Sequence, residues 1–126
     1  MAETKQVITD MIRVIWQDGD LGALGRFWTD DCINHADNDA QGLPALRDYH
    51  VRFSSSLEGF SDIAITVVHQ VAEGDLVVTH LVTAGRHEAT GRPAQLRTIR
   101  IDRVRGDRIA EHWSVVDLAG LAAQLS

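Results

Sequence analysis

Apolar residues recur at spacings of three and four along the first third of the chain. Ile8, Met11, Ile12 and Ile15 share one face, which predicts an amphipathic helix ending near Asp18-Gly19. Asp20 is placed to cap a second, short helix through Leu21, Leu24 and Phe27. Trp28 to Ala36 leaves the helical pattern as a short extended piece. Pro44 sits where proline favours the first turn of a helix, and Leu46, Tyr49, Phe53 and Leu57 follow at three-four-four spacing as a third amphipathic helix.

The pattern changes at Gly59. Ile63 to Val71, Leu76 to Gly85, Leu96 to Val104 and Arg108 to Val116 are rich in Val, Ile and Thr and read as strands. Glu73-Gly74-Asp75 and Arg105-Gly106-Asp107 are tight-turn signals, so at least two junctions are hairpins and the sheet is antiparallel. Asp117 then caps a closing helix, Leu118 to Leu125. Helices followed by a strand meander predict an α+β fold, with the N-terminal helices on the concave face of a curved antiparallel sheet. Such a cone-shaped interior is a usual place for a small-molecule site.

Composition narrows the function classes. The 126 residues are 44% apolar and 24% charged, which reads as one globular domain spanning 1–126. The net charge of -6 is spread along the chain and argues against nucleic acid, whose recognition needs clustered Lys and Arg. The arginines from Arg97 to Arg108 are interrupted by Asp102 and Asp107 and read as a solvated strand face. Cys32 is the single cysteine, so no intramolecular disulfide forms. No apolar run is long enough to span a bilayer, and the N-terminus lacks a signal-peptide pattern, so a cytoplasmic protein without a membrane partner is expected. A homodimer covering the outer sheet face is the expected assembly for a pocket protein of this size.

Several segments, in order and over nearly the whole chain, resemble SnoaL-like proteins. They are Trp16-Gln17-Asp18-Gly19-Asp20, Phe27 to Asp31 with Asn34-His35, Gly85-Arg86-His87, and Gly106 to Trp113 with Asp117 and Gln124-Leu125. That family lies in the nuclear-transport-factor-two-like superfamily, beside ketosteroid isomerase, scytalone dehydratase and limonene epoxide hydrolase. The resemblance implies an α+β cone, often a homodimer, with no metal or organic cofactor. The activity it implies is closure of the last ring of an aromatic polyketide by an intramolecular aldol reaction.

Three positions depart from the family pattern. The cyclase's acid/base aspartate, two residues after the final-strand histidine, is Ser114 here. A histidine on the preceding strand is matched by Arg100, and the ketosteroid isomerase base by Asn34. The Asp-Arg-Asp arrangement of a limonene-type epoxide hydrolase is not recognisable. Fold alone does not decide between these chemistries.

The candidate residues follow. Of six histidines, His35, His87 and His112 fall on segments the family directs towards the pocket, where each suits proton transfer at carbon alpha to a carbonyl. Each also reads as a hydrogen-bonded core histidine. His69 and His80 read as strand histidines at the surface, and His50 as a surface residue of the third helix. Asp117, just past the His112 strand, is both a candidate to orient His112 and the natural cap of the last helix. Trp16, Tyr49, Phe53 and Phe60 are candidate walls of the apolar pocket, or plain core. Strand alternation puts Ser114 on the face of His112, and Trp113 on the opposite one; Arg100 and Ser114 complete the expected substrate contacts. The histidines lack a compact ligand spacing, so no metal is expected.

Two readings remain open. One is a cofactor-free enzyme doing aldol-type cyclisation, isomerisation or dehydration on a small hydrophobic polyketide-like carbonyl compound. The other is a non-catalytic protein that only holds such a ligand.

Overall fold

The computed structural model describes residues 3–126. Helix α1 (Thr4–Met11) continues into one π-helical turn, Ile12–Gln17. A short 3₁₀ turn and helix α2 (Leu24–Phe27) lead into strand β1 (Trp28–Asn34). After the two-residue strand β2 (Ala40–Gln41) comes helix α3 (Leu43–Ser55). Four long strands follow: β3 (Phe60–Glu73), β4 (Leu76–His87), β5 (Pro93–Arg105) and β6 (Arg108–Val116). Helix α4 (Leu118–Leu125) closes the chain.

The strands form one sheet in the order β2-β1-β6-β5-β4-β3. The meander β3 to β6 is antiparallel throughout, as the turn signals require. β1 joins it parallel to β6, so the whole curved, unclosed sheet is mixed. The chain between β1 and β6 includes α3 and four strands, so no hairpin constrains the direction of that pairing.

Burial explains where space remains. The helical face of Ile8, Met11, Ile12 and Ile15 is buried, packed with Trp28, Cys32, Leu46, Val77, Val104 and Ile109. These residues fill the concave face beside the start of β4, the end of β5 and the start of β6. Towards the other ends of those strands, Thr83, Thr98 and Val116 border a cavity instead of the core. The sheet thus buries one end of its concave face and leaves the other hollow.

Candidate active site

The cavity has a volume of about 430 Å³, within the range of ordinary small-molecule sites. Trp16, Tyr49, Phe53 and Phe60 contribute to its apolar wall. Trp16 meets Phe53 edge-on at 5.3 Å, and Tyr49 lies 6.3 Å from the same ring. The sheet side contributes Arg100, His112 and Ser114. All six residues expected to contact substrate therefore border one space, together with His112.

The polar floor follows from alternation on two neighbouring strands. Arg100 and Asp102 are two residues apart on β5 and so share the concave face. Directly opposite them on β6 stand Ser114 and His112, paired Arg100 with Ser114 and Asp102 with His112. Arg100 donates from Nε to Asp102 Oδ2 at 2.7 Å and from Nη2 to Oδ1 at 2.9 Å. His112 Nδ1 lies 2.8 Å from Asp102 Oδ1. Its other nitrogen, Nε2, lies 3.2 Å from Ser114 Oγ. Arg100 Nη1 is the guanidinium nitrogen that takes no part in these bonds.

Asp102 has no solvent exposure. Burial alone would push its carboxyl up, but the charge of Arg100 and the hydrogen bonds from Arg100 and His112 hold it at about 2. The acceptor-only carboxylate fixes the neighbouring ring: Nδ1 carries a proton and donates to Asp102, which leaves the Nε2 lone pair on the Ser114 side. Burial, and then the charge of Arg100, lower the pKa of His112, so the ring is neutral near neutral pH. The result is a neutral imidazole with an oriented lone pair at the edge of an apolar cavity.

Two residues of this region depart from the sequence expectation. Asp102 reads from the sequence as part of a solvated run of charges, yet its even-numbered position puts it with Arg100 on the inner face, while Arg97 and Arg105 are exposed and Arg103 is half-buried. His50, expected at the surface, is buried because it falls four residues after Leu46 on the apolar face of α3. Its Nδ1 hydrogen-bonds the Leu46 carbonyl at 2.9 Å, its ring lies 4.2 Å from that of Trp16, and burial drives its pKa down to about 4. Trp28 stands edge-on to His112 at 5.8 Å.

The other expected catalytic residues lie elsewhere. Asp117 caps α4, accepting from the Gly120 N–H at 2.8 Å and from Arg97 at 3.1 Å. It is the sequence neighbour of the His112 strand, whereas the carboxylate that touches His112 comes from across the sheet. Asn34 takes the inner face of β1, so His35 turns to the outer side. There His35 sits between Asp39 at 2.6 Å and Glu111 at 2.9 Å and stacks on Trp113 at 4.8 Å. Hydrogen bonds from its ring to the carboxylates of Glu111 and Asp39 raise its pKa. His87 ends β4, bonded to Thr90 in the following turn, with its ring 5.2 Å from Phe60 and outside the cavity lining. Asn34 accepts from the Ala36 N–H at 3.0 Å and does not border the cavity.

Among the described residues, no three histidine, cysteine or carboxylate side chains gather as a metal site. No helix among them is long and apolar enough to cross a membrane.

Comparison with known proteins agrees with this architecture. No curated protein matches the chain in sequence. Among solved structures, IdmH of Streptomyces antibioticus, a proposed polyketide cyclase, is 27% identical with a TM-score of 0.81, over 98% of this chain and 99% of its own. TsrD of Streptomyces laurentii is 24% identical with a TM-score of 0.78, covering 98% of this chain and 95% of its own. AclR of Streptomyces galilaeus, a proposed hydroxylase, shares the fold at 23% identity and a TM-score of 0.78, over 99% of this chain and 82% of its own. The family model for SnoaL-like polyketide cyclases matches residues 6–125, from the first helix to the last, and the chain belongs to that family.

Proposed function

We propose that the cavity binds a small hydrophobic carbonyl compound and that His112 moves a proton at the carbon next to that carbonyl. The carrying observation is the Asp102–His112 contact of 2.8 Å, which turns the Nε2 lone pair away from the carboxylate at the edge of the cavity. Nε2 abstracts the alpha proton, and Asp102 stabilises the imidazolium that forms. The developing enolate oxygen is held by Arg100, whose Nη1 has no acceptor within the cluster, with the Tyr49 hydroxyl as a further donor on the opposite wall. The enolate carbon then attacks a second carbonyl in an aldol closure, or is reprotonated at another carbon in an isomerisation. In either case the imidazolium returns the proton.

In this reading His112 takes the part that the cyclase pattern gives to the aspartate replaced by Ser114. Epoxide opening is disfavoured, because the Arg100 cluster holds one carboxylate rather than two.

The test is proton exchange in deuterated buffer. With 2-tetralone as probe, NMR should show loss of its alpha-proton signals faster than in buffer alone, and His112→Gln should remove the acceleration while the fold persists. Saturable binding of the probe with no accelerated exchange would instead favour a protein that only holds its ligand.

A further inference from the structure

The same cluster contains a hydroxyl that the proton-transfer reading leaves unused. Ser114 Oγ lies 3.2 Å from His112 Nε2, and His112 Nδ1 lies 2.8 Å from Asp102. A hydroxyl on a base, with the base held by a buried carboxylate, is the arrangement that activates a serine for attack on a carbonyl. The fourth member completes it. Arg100 is the direct cross-strand neighbour of Ser114, and opposite residues on one face stand about 5 Å apart at Cβ. Its Nε and Nη2 are held by Asp102 and His112, which leaves Nη1 as the donor for an oxyanion formed in the cavity. Ser114 and Arg100 both border the cavity, so a substrate carbonyl can reach them together.

We infer that Ser114 is a nucleophile and that the cavity cleaves small hydrophobic carboxylic esters through an acyl-Ser114 intermediate. The inference rests on the reading of His112 as the cavity's base. As Ser114 Oγ bonds to the ester carbonyl carbon, its proton passes to His112 Nε2 and the carbonyl electron pair moves onto oxygen. Arg100 holds that oxyanion. Collapse restores the C=O bond and breaks the bond to the alkoxide, which leaves with the proton from Nε2. Water then repeats the sequence on the acyl carbon: its proton goes to Nε2, and Ser114 Oγ departs and recovers a proton. The net reaction is ester plus water to acid plus alcohol, with no change of oxidation state. The 3.2 Å contact is at the long end of hydrogen-bond range, which suits a site that tightens on its substrate.

The experiment pairs covalent labelling with turnover. Wild-type protein treated with diisopropyl fluorophosphate should gain one phosphoryl adduct by intact mass, mapped to Ser114 by peptide sequencing. It should also hydrolyse p-nitrophenyl butyrate, and Ser114→Ala and His112→Gln should each lose about 100-fold or more of that rate. Circular dichroism confirms that the variants are folded. An adduct on a different residue, or hydrolysis by Ser114→Ala at the wild-type rate, overturns the inference. Wild-type protein that exchanges the protons of 2-tetralone but takes no label leaves His112 as a base and removes Ser114 as a nucleophile. If neither exchange nor labelling occurs, both readings fall.

Discussion

Asp102 accepts a hydrogen bond from His112 Nδ1 at 2.8 Å while holding two nitrogens of Arg100, and it does so with no contact to solvent. A buried charge of this kind is tolerated only with its partner. Asp102→Asn keeps the size of the side chain but leaves the Arg100 guanidinium uncompensated in the interior. The expected loss of stability is about 3–5 kcal/mol, a large fraction of the total for a small domain. Urea denaturation measures it, and a loss below about 1 kcal/mol would show that the pair behaves like a surface one.

Ser114→Asp restores the carboxylate that the cyclase pattern has at this position. A carboxylate in reach of His112 Nε2 favours the charged ring, so the His112 pKa should rise from its lowered value. The neighbouring Arg100 makes the added carboxylate tolerable. NMR titration of the His112 ring reads the effect directly. An unchanged or lower pKa would mean that residue 114 does not face the Nε2 side of the ring.

Asp117→Ala tests the carboxylate that lies nearest in sequence. Its oxygens serve the Gly120 N–H and Arg97, and it does not border the cavity. Losing an N-cap acceptor costs about 1 kcal/mol. The midpoint of thermal unfolding should fall accordingly, while ligand binding and exchange in the cavity stay at wild-type levels. A selective loss of exchange with unchanged stability would return Asp117 to the catalytic machinery.

The contrast between Asp117 and Asp102 shows what a sequence carries and what it does not. β6 and α4 were legible to the residue, because Arg105-Gly106-Asp107 marks a hairpin and Asp117 marks a cap, both local signals. The aromatic wall was legible only in part, because the helical spacing of Tyr49 and Phe53 on α3 fits plain core as well as a pocket wall, and Trp16 lies in the last turn of the first helix. Alternation on β6 also assigned His112 and Ser114 to one face. Asp102 was hidden because a run of charges along β5 reads as solvated unless each residue is assigned to a face. Arg103 and Arg105 reach outward to Asp75 and Asp31, whereas Arg100 and Asp102 turn inward. The pairing of Asp102 with His112 further depends on the β5–β6 register, which a bulge near Val104 shifts. The parallel contact of β1 with β6 has no local signature at all.

His50 gives the protein a pH-dependent stability whose sign follows from its buried, neutral ring. Burial lowers its pKa from 6.5 to about 4, so the unfolded chain takes up the proton first as pH falls. Its contribution is complete above about pH 6.5 and is lost on the way down to about pH 4. The shift corresponds to about 3 kcal/mol at full loss. His112 acts in the same direction, since burial lowers its pKa too. His35 acts in the opposite one: Glu111 and Asp39 raise its pKa, so its contribution is present in acid and fades as pH rises through the folded value. Urea denaturation at a series of pH values from about 8 down to about 4 should therefore show stability falling towards acid. His50→Phe should flatten that limb while leaving the part that belongs to His112. An acid limb equally steep in His50→Phe would assign the slope to other groups and place the His50 ring in contact with water.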